Sequence, residues 1–425
     1  MRIPTALRRK EWLYLLIVML LIGASFLLDE EKLTIAITRG VEGAVLKTVA
    51  QDFATDSGIS VEVVEYDYDR LYESSIEQLK APTSRFDVIL LDDPWLPALA
   101  PRIEQQAGLQ RLIFSKEECE DLRIEDFVKA CIYVCRADYS TKEITCPDSE
   151  TSPEHLYALP FVGNSQLFAR HDNRMHKTPS TWDEVFAPSN RSSYVLRVGD
   201  GNRIVTDFIP LLWAAAPNDF TPTETPHLSE DALKAFGWLD ELAKSSQAKR
   251  GIASYDDFDL AVYMAHGEAS AGIVWSAWAM AFARLNDHKD SLDRIKFDVV
   301  GTPTLGSWLL SIPANLSESQ KRQAKNFILF ALKADRMIKE ARQGSPPVRW
   351  SVLEDPELDK FFPSFEAQRK SLKEAKPRPR TPQWRDVEKK LGQQLFDLYE
   401  QRIEAKTAWQ NARNALQDLK ALTNR

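Results

Sequence analysis

Acidic and aromatic residues stand at the points where predicted strands end. Asp92, Asp93 and Trp95 follow an apolar run in "FDVILLDDPWLPALA". Trp275 ends the run "AGIVW", and Trp308 follows a Gly-Ser pair. Indole presents a flat apolar face, and a carboxylate accepts hydrogen bonds from hydroxyl groups. Together they suit a ligand with C–H faces and a rim of hydroxyls, as carbohydrates have, so these five are candidate ligand-binding residues.

Two polar residues complete the candidate set. Asn164 lies in the extended stretch "YALPFVGNSQLFAR", and Arg349 stands beside a tryptophan in "PPVRW". Five of the seven candidates have a structural alternative. The indoles of Trp95 and Trp275 can be core, and Asp93 can cap the helix that follows it. Asn164 can form a turn, and Arg349 can be structural.

Motifs for catalysis and metal binding are missing from the sequence. It has no G-x-x-x-x-G-K-[ST], G-x-G-x-x-G, H-E-x-x-H or G-x-S-x-G motif and no EF-hand loop, and its six histidines are scattered. Asp92 and Asp93 are adjacent on a predicted strand, so their side chains point to opposite faces and are no obvious acid/base pair. We therefore expect a binding protein, not an enzyme, with no cofactor and no metal.

The N-terminus has the form of an export signal. Four basic residues up to Lys10 precede an apolar run from Trp12 to Leu28, as in secretory signals. Gly23 and Ser25 provide small residues for a cleavage after Ser25. The run is slightly shorter than the about 20 residues of a membrane span, so residues 1–28 are a signal peptide or an uncleaved signal anchor. Either way, the rest of the chain is expected in the periplasm or another extracytoplasmic space.

The four cysteines lie close together in the sequence, at Cys119, Cys131, Cys135 and Cys146. An even number of clustered cysteines in an exported chain predicts two disulfides, in any of three pairings. Zinc is the alternative, but the gaps of 11, 3 and 10 residues match none of the usual C-x2-C patterns.

Chain length and net charge limit the number of domains and the kinds of partner that are expected. The 425 residues are too many for one ordinary core, so two domains are expected. The net charge of −8 argues against a nucleic-acid partner, since such proteins are normally basic.

Strands and helices alternate through most of the chain. "KLTIAIT" (32–38), "SVEVVEYD" (60–67) and "FDVILLDD" (86–93) are predicted strands with helical segments between them. This β-α-β-α-β order predicts a parallel sheet covered by helices on both faces. Further predicted strands are "SYVLRVG", "ASAGIVW", "FDVVGTP" and "SWLLSIP". From Ser317 the chain is mainly helical, and "DVEKKLGQQLFDLYEQRIEAKTAWQNARNALQDLK" is predicted to close it as one long amphipathic helix.

These segments resemble the extracellular solute-binding proteins of family 1, which bind sugars and polyols for ABC importers. The resemblance covers nearly everything after residue 32. The segments that carry it occur in family order and are "FDVILLDDPWLPALA", "LYALPFVGNSQLFAR", "TPSTWDEVF", "GEASAGIVWSAWA", "FDVVGTPTLGSWLLSIPANLSESQKRQAKNFILF", "PPVRWSVLEDPEL" and "KPRPRTPQWRDVEKKLGQQL".

The resemblance implies a two-lobe α/β periplasmic-binding-protein fold with a ligand cleft between the lobes and a helical C-terminus. Lobe 1 would hold residues 30–160 and 299–333, and lobe 2 would hold 161–298 and 334–425. On this mapping Asp92, Asp93 and Trp95 line the cleft from lobe 1, and Asn164 sits beside the first crossing between the lobes. Trp275 would stack on the ligand from lobe 2, and Trp308 lies on the returning strand.

The function implied is capture of a sugar or polyol by hinge closure, followed by delivery to the permease subunits of an ABC importer. The protein would act as a monomer. Two alternatives stay open: a membrane-anchored sensor that reports a sugar to a receptor, and an exported glycoside hydrolase. The hydrolase would need two carboxylates facing each other at about 5–10 Å, and the sequence indicates no such pair. The chain departs from the family in the insertion "CRADYSTKEITCPDSETSPEH", which carries two of the cysteines.

Overall fold

The computed structural model describes residues 32–101, 108–137, 142–190, 194–198, 201–223, 226–245, 257–266, 268–282, 295–362 and 364–423. They form two lobes, each with its own sheet and its own hydrophobic core. This confirms the predicted two-lobe α/β architecture. The predicted signal segment, 1–28, lies outside the described residues.

Two sheets are present in this part of the chain. The strands are β1 (Lys32–Thr38), β2 (Ser60–Tyr66), β3 (Val88–Asp92), β4 (Ala158–Val162), β5 (Gln166–His171), β6 (Tyr194–Val195), β7 (Ala271–Trp275), β8 (Ile295–Asp298) and β9 (Trp308–Ser311). The lobe 1 sheet has the order β2-β1-β3-β9-β4, and the lobe 2 sheet has the order β6-β7-β5-β8. The chain thus returns to the lobe 1 sheet at β9, after the strands of lobe 2.

The helices surround both sheets. They are α1 (Val41–Ser57), α2 (Tyr68–Lys80), α3 (Leu96–Leu99), α4 (Lys116–Leu122), α5 (Lys129–Tyr133), α6 (Trp182–Val185), α7 (Gly201–Ala215), α8 (Leu233–Ala243), α9 (Asp257–Ala265), α10 (Ser276–Phe282), α11 (Glu318–Ala331), α12 (Ala334–Ala341), α13 (Trp350–Leu353), α14 (Ser364–Glu374), α15 (Trp384–Tyr399) and α16 (Ala405–Thr423). In the described ranges, short 3-10 turns occur at Asp93–Trp95, Ile124–Asp126 and Leu358–Lys360.

The lobe 1 sheet is parallel only in part. β1 pairs in parallel with β2 and β3, as the β-α-β-α-β order predicts. β9 is antiparallel to both β3 and β4. Every residue of β3, β4 and β9 is buried, because these neighbouring strands are covered on both faces, which explains their nearly continuous apolar sequences.

Lobe 2 combines a small mixed sheet, in which β6 is parallel to β7, with a helical layer. β5 lies between β7 and β8 and is antiparallel to both. The long helices α7, α8, α15 and α16 supply most of the second core. The single closing helix expected from the sequence is in fact two, α15 and α16, because the chain turns after Tyr399 and Gln401 takes a left-handed φ of 56°.

Three segments cross between the lobes side by side: 162–166, 300–307 and 375–383. Gln166 N–H donates to the Thr304 carbonyl at 3.1 Å, and Gly306 N–H donates to the Asn164 carbonyl at 2.9 Å. Leu305 N–H donates to the Lys376 carbonyl at 2.8 Å. The three crossings are therefore one hydrogen-bonded unit at which the lobes meet.

The C-terminal region is divided differently from the sequence-based expectation that 334–425 belongs to lobe 2. Met337, Val352 and Phe365 belong to the lobe 1 core, because the apolar sides of the short helices α12 to α14 pack there. Ala367 of α14 packs with the strands of the lobe 2 sheet, and the part from Trp384 onward joins the lobe 2 core.

The cysteines form one disulfide rather than the expected two. Cys119 and Cys146 are bonded, which fastens the inserted loop to α4. Cys131 and Cys135 are free and buried in the lobe 1 core. The Cys135 thiol donates to the Cys131 carbonyl at 3.5 Å, so this pair packs inside the lobe as small apolar side chains.

Within the described ranges, no helix combines the length and the apolar composition that a membrane crossing requires.

Candidate functional site

The acidic pair at the end of β3 is held by an arginine of the third crossing segment. Asp92 and Asp93 are both buried. The Arg378 guanidinium donates to the two oxygens of Asp92 at 2.6 and 3.0 Å and to Oδ2 of Asp93 at 3.0 Å. The two carboxylates proposed as ligand acceptors are therefore already bonded within the chain.

Further hydrogen bonds fix this pair from both sides. The Tyr68 hydroxyl donates to Oδ2 of Asp92 at 2.6 Å, and the Ser307 N–H donates to Oδ2 of Asp93 at 2.9 Å. Loss of hydration raises the pKa of Asp93 to about 6, although Arg378 opposes the shift. Loss of one of these hydrogen-bond partners would therefore destabilise the protein.

Two of the candidate indoles belong to an aromatic cluster in lobe 1. The centre of the Trp95 ring lies 4.7 Å from the ring centre of Tyr68, 5.2 Å from that of Tyr72 and 6.1 Å from that of Trp308. Trp95 is 1% exposed and Trp308 is 8% exposed. Both indoles back the acidic pair from the lobe 1 core.

Trp275 is the candidate indole that remains half-buried. It ends β7 of lobe 2, and its six-membered ring lies against Gly306 at the entrance to β9. Its backbone N–H donates to Oδ1 of Asp257 at 3.2 Å. The Arg197 guanidinium lies 5.8 Å from its ring centre. Trp275 is thus a lobe 2 side chain placed directly at the crossing segments.

A buried ion cluster supports Trp275 from behind. Arg197 donates to both oxygens of Asp207 and, at 2.7 Å, to Asp257. Gln166 adds a hydrogen bond from Nε2 to Asp207 at 3.2 Å. All four side chains are at least nine-tenths buried. One guanidinium is shared by two carboxylates, so several buried hydrogen bonds hold the lobe 2 wall behind Trp275, and the cluster has more acidic than basic groups.

Asn164 connects the lobes. Its Nδ2 donates to Oε1 of Glu42 in α1 of lobe 1 at 2.6 Å. Its Oδ1 accepts from the Ser276 hydroxyl at 3.1 Å and from the Ala277 N–H at 2.9 Å, both in α10 of lobe 2. Every polar atom of this side chain's amide group has a protein partner, so Asn164 acts as an interlobe strut in this conformation.

Glu42 has an unusual electrostatic environment. It is 8% exposed, and burial raises its pKa to about 7. The hydrogen bond from Asn164 lowers the pKa, whereas the charges of Asp257 and Asp92 raise it further. A carboxyl group with this pKa changes protonation state near neutral pH.

An open cavity of about 610 Å³ lies between α2 of lobe 1 and the α7–α15 face of lobe 2. The residues that line it are Asp69, Tyr72, Glu73, Val198, Gly201, Arg385, Asp386, Glu388, Lys389, Gly392, Gln393 and Phe396. Its size is within the range of small-molecule sites. None of the seven sequence-based candidates lines it; Trp95 approaches it only through Tyr72.

Arg385 joins the two lobes across this cavity. Its guanidinium lies 5.2 Å from the ring of Tyr68 and 5.6 Å from the ring of Tyr72. It also donates to Asp69 of lobe 1 and, at 2.7 Å, to Glu388 of its own helix. Burial raises the pKa of Glu388 to about 7, against the opposing charge of Arg385.

Arg349 is not brought together with the other candidates. Its guanidinium donates to the carbonyls of Leu122 and Leu332 and to Asp126, and it packs 4.1 Å from the ring of Phe127. It is an internal connector of lobe 1, where its role as a ligand residue has no geometric support.

Several residues that organise the site were not predicted from the sequence: Tyr68, Tyr72, Arg378, Arg385 and Glu388. Tyr68 and Tyr72 are one helical turn apart in "YDRLY", which places both rings on one face of α2. Arg378 lies in "KPRPR", where the prolines favour an extended crossing segment and exclude helix. Both patterns can be read from the sequence, but neither indicates which residues Tyr68, Tyr72 or Arg378 contact.

Among the described residues, no group of three or more His, Cys, Asp or Glu side chains is arranged to hold a metal ion.

A protein-family model described as bacterial extracellular solute-binding protein matches residues 48–361. A curated relative, the probable amino-acid ABC transporter periplasmic-binding protein y4oP of Sinorhizobium fredii, is 23% identical over 353 residues. The match covers 79% of this chain and 76% of that protein.

Solved structures share the fold. The maltose-bound MalE3 of T. maritima has a TM-score of 0.75 at 20% identity, covering 91% of this chain and 99% of that one. A solute-binding protein of Agrobacterium radiobacter K84 in complex with ribitol has a TM-score of 0.76 at 19% identity, covering 92% and 99%. One from Agrobacterium vitis S4 with bound D-mannitol has a TM-score of 0.68 at 17% identity, covering 92% and 99%. The two-lobe architecture is thus that of substrate-binding proteins.

Proposed function

Because the chain belongs to the family of bacterial extracellular solute-binding proteins, we propose that it captures a sugar or polyol between its lobes and delivers it to an ABC importer. The family and fold are those of substrate-binding proteins, so we assign no chemical step to the site. The family and the periplasmic-binding relative point to an extracytoplasmic location, with the N-terminal segment as the proposed export signal.

One observation carries the proposal: Trp275 of lobe 2 lies half-buried against Gly306, at the hydrogen-bonded crossing segments. An indole in this position can stack on the C–H face of a sugar while both lobes supply polar groups. We propose Trp275 as the stacking residue. Asp92, Asp93, Trp95 and Trp308 are proposed to shape the lobe 1 wall behind the ligand rather than to contact it directly.

Hinge closure supplies the mechanism. A ligand that contacts both lobes binds the closed form more tightly than the open form and shifts the population toward it. We take the three crossing segments as the hinge, since the chain passes between the two lobes along them and they are hydrogen-bonded to one another. The closed protein would then present both lobes to the permease subunits in the membrane.

The ligand class is supported by the structural neighbours, which hold maltose, ribitol and D-mannitol. The curated relative is named for amino-acid transport. A ligand panel must therefore contain sugars, polyols and amino acids.

A thermal-shift screen tests binding. A compound at about 100 times its dissociation constant should stabilise the protein by about 2.7 kcal/mol. We expect stabilisation by a sugar or polyol and none by amino acids. Stabilisation by amino acids alone would contradict the ligand assignment. Loss of uptake of that compound in a deletion strain, restored by the wild-type gene, would test delivery to the importer.

A further inference from the structure

Glu42 lies where the two lobes meet, yet it contributes to neither core. It stands in the first turn of α1 in lobe 1 and is 8% exposed. Asn164 donates to its Oε1 at 2.6 Å. Among the residues that the structure describes, none forms an ion pair with it. A buried carboxylate without a cation is strongly disfavoured, so this position requires an explanation.

The hydrogen bonds beyond Glu42 lead to the proposed ligand-stacking residue. Asn164 accepts from Ser276 and Ala277, the two residues that directly follow Trp275. The line from Glu42 through Asn164 therefore ends at the start of α10, one residue from the indole. Asn164 is thus the side chain that connects Glu42 to the residues next to Trp275.

The charged groups that face Glu42 come from both lobes. Asp92 stands at the end of β3, and Asp257 stands at the start of α9 in lobe 2; both charges disfavour the ionised form of Glu42. Their cations are already engaged, since Arg378 binds Asp92 and Arg197 binds Asp257.

The remaining neighbours do not supply a compensating charge. On its own loop, Arg39 is turned to Asp67 at 2.8 Å, and both side chains are exposed. The facing turn of α10, which begins at Ser276, contains no charged residue.

We propose that Glu42 is the positioning residue of lobe closure, and that the closed lobes hold it as a neutral carboxylic acid. The proposal rests on the hinge closure proposed above and adds its regulation: closing takes up a proton. When the lobes separate, Asp257 moves away and water reaches Glu42, so the carboxyl group ionises.

The direction of the pH effect follows from the two states. The ordinary pKa of a glutamate is 4.5, and that of Glu42 between the lobes is about 7. Between these values the closed form binds a proton that the open form has lost, so closure becomes less favourable as the pH rises. The closing equilibrium changes by up to about tenfold per pH unit in this window. Above about pH 7 both forms are ionised and the dependence ends.

The test needs no ligand. Fluorophores on Thr55→Cys in α1 and Gln410→Cys in α16, both at exposed positions, report the distance between the lobes, and the native free cysteines are buried. We expect the closed fraction of the wild-type chain to fall between about pH 5 and pH 7. Glu42→Gln keeps the length and the acceptor for Asn164 but cannot ionise, so most of this dependence should disappear.

Two further variants distinguish a positioning role from a merely structural one. Asn164→Asp sets a carboxylate against Glu42 and should raise the pKa of Glu42 further, so the pH range over which the closed fraction falls should extend above pH 7. Glu340→Gln is the matched control, because Glu340 is also buried with a pKa raised to about 8 but lies in α12 of lobe 1. It should leave the pH dependence of the distance unchanged.

The outcomes separate this inference from the proposed function. A wild-type distance that does not respond to pH, or an equal response in Glu42→Gln, overturns the role of Glu42 even if a sugar binds. Failure of every sugar and polyol in the thermal-shift panel overturns the ligand assignment, while the distance measurement still decides the role of Glu42.

Discussion

The six-membered ring of Trp275 rests directly on Gly306. A Cβ atom at position 306 would lie 2.6 Å from Cζ3 and 2.7 Å from Cη2 of the indole, closer than packed atoms can approach. The glycine is needed here for space, and this contact brings a lobe 2 aromatic against the backbone of a crossing segment. The position of the indole therefore depends on a residue that belongs to neither strand.

Gly306→Ala should move the Trp275 ring and weaken sugar binding at least tenfold, which corresponds to about 1.4 kcal/mol. The unliganded melting temperature should fall only slightly, because Trp275 is half-buried. The matched control is Gly237→Ala in α8, where nothing lies within 4 Å of the added methyl group; it should leave binding unchanged and stabilise the helix by about 1 kcal/mol. Equal binding by both variants in calorimetry would show that the ring position is irrelevant to the ligand.

Trp275→Ala should abolish the ligand-induced thermal shift and leave the unliganded melting temperature nearly unchanged. The half-buried ring contributes little to the core, so its loss removes mainly the stacking surface. Trp384→Ala is the control, because Trp384 is 1% exposed in the lobe 2 core and its truncation should cost about 3–5 kcal/mol. A comparable loss of unliganded stability in Trp275→Ala would identify the indole as core.

The sequence predicted the local elements well because their signals are local. β1 occupies 32–38 as the apolar run indicated, and Ser317 caps α11 through its side chain as the N-terminal serine indicated. The order of elements, together with the resemblance to solute-binding proteins, was sufficient to predict two lobes. The break between α15 and α16 was not predicted, since the apolar periodicity continues through it.

The organisation of the site depends on contacts that sequence spacing does not reveal. Arg378 and Asp92 are 286 residues apart, and no pattern near either residue indicates the other. Asp92 followed by Asp93 and Trp95 looked like an exposed ligand surface, but an internal guanidinium is hydrogen-bonded to both acids. Of the seven candidate residues, Trp275 alone is partly exposed, as stacking on a ligand requires.

The disulfide prediction concerns Cys119 and Cys146, which close a loop with a sequence separation of 27. Alkylation in denaturant without reductant, followed by mass spectrometry, should modify only Cys131 and Cys135. Replacing Cys119 and Cys146 by serine should cost about 2–4 kcal/mol of unfolding free energy, because the open loop has more conformational freedom when unfolded. Alkylation of all four cysteines, or of none, would contradict the single pairing.

The final prediction concerns Arg378→Met, which leaves Asp92 buried without its cation and leaves Asp93 with only the more distant Arg380, at 3.7 Å. Removing one partner of a buried ion pair costs about 3–5 kcal/mol, and urea unfolding at about pH 7.5 should show this loss. Because the pKa of Asp93 is already raised to about 6 and rises further without Arg378, protonation relieves the variant as the pH falls through 6. The deficit relative to the wild-type chain should therefore shrink in acid. Arg402→Met, at an exposed pair with Asp397, should cost at most about 1 kcal/mol. A deficit of Arg378→Met that is equal at pH 5 and pH 7.5 would mean that the guanidinium contributes packing rather than charge compensation.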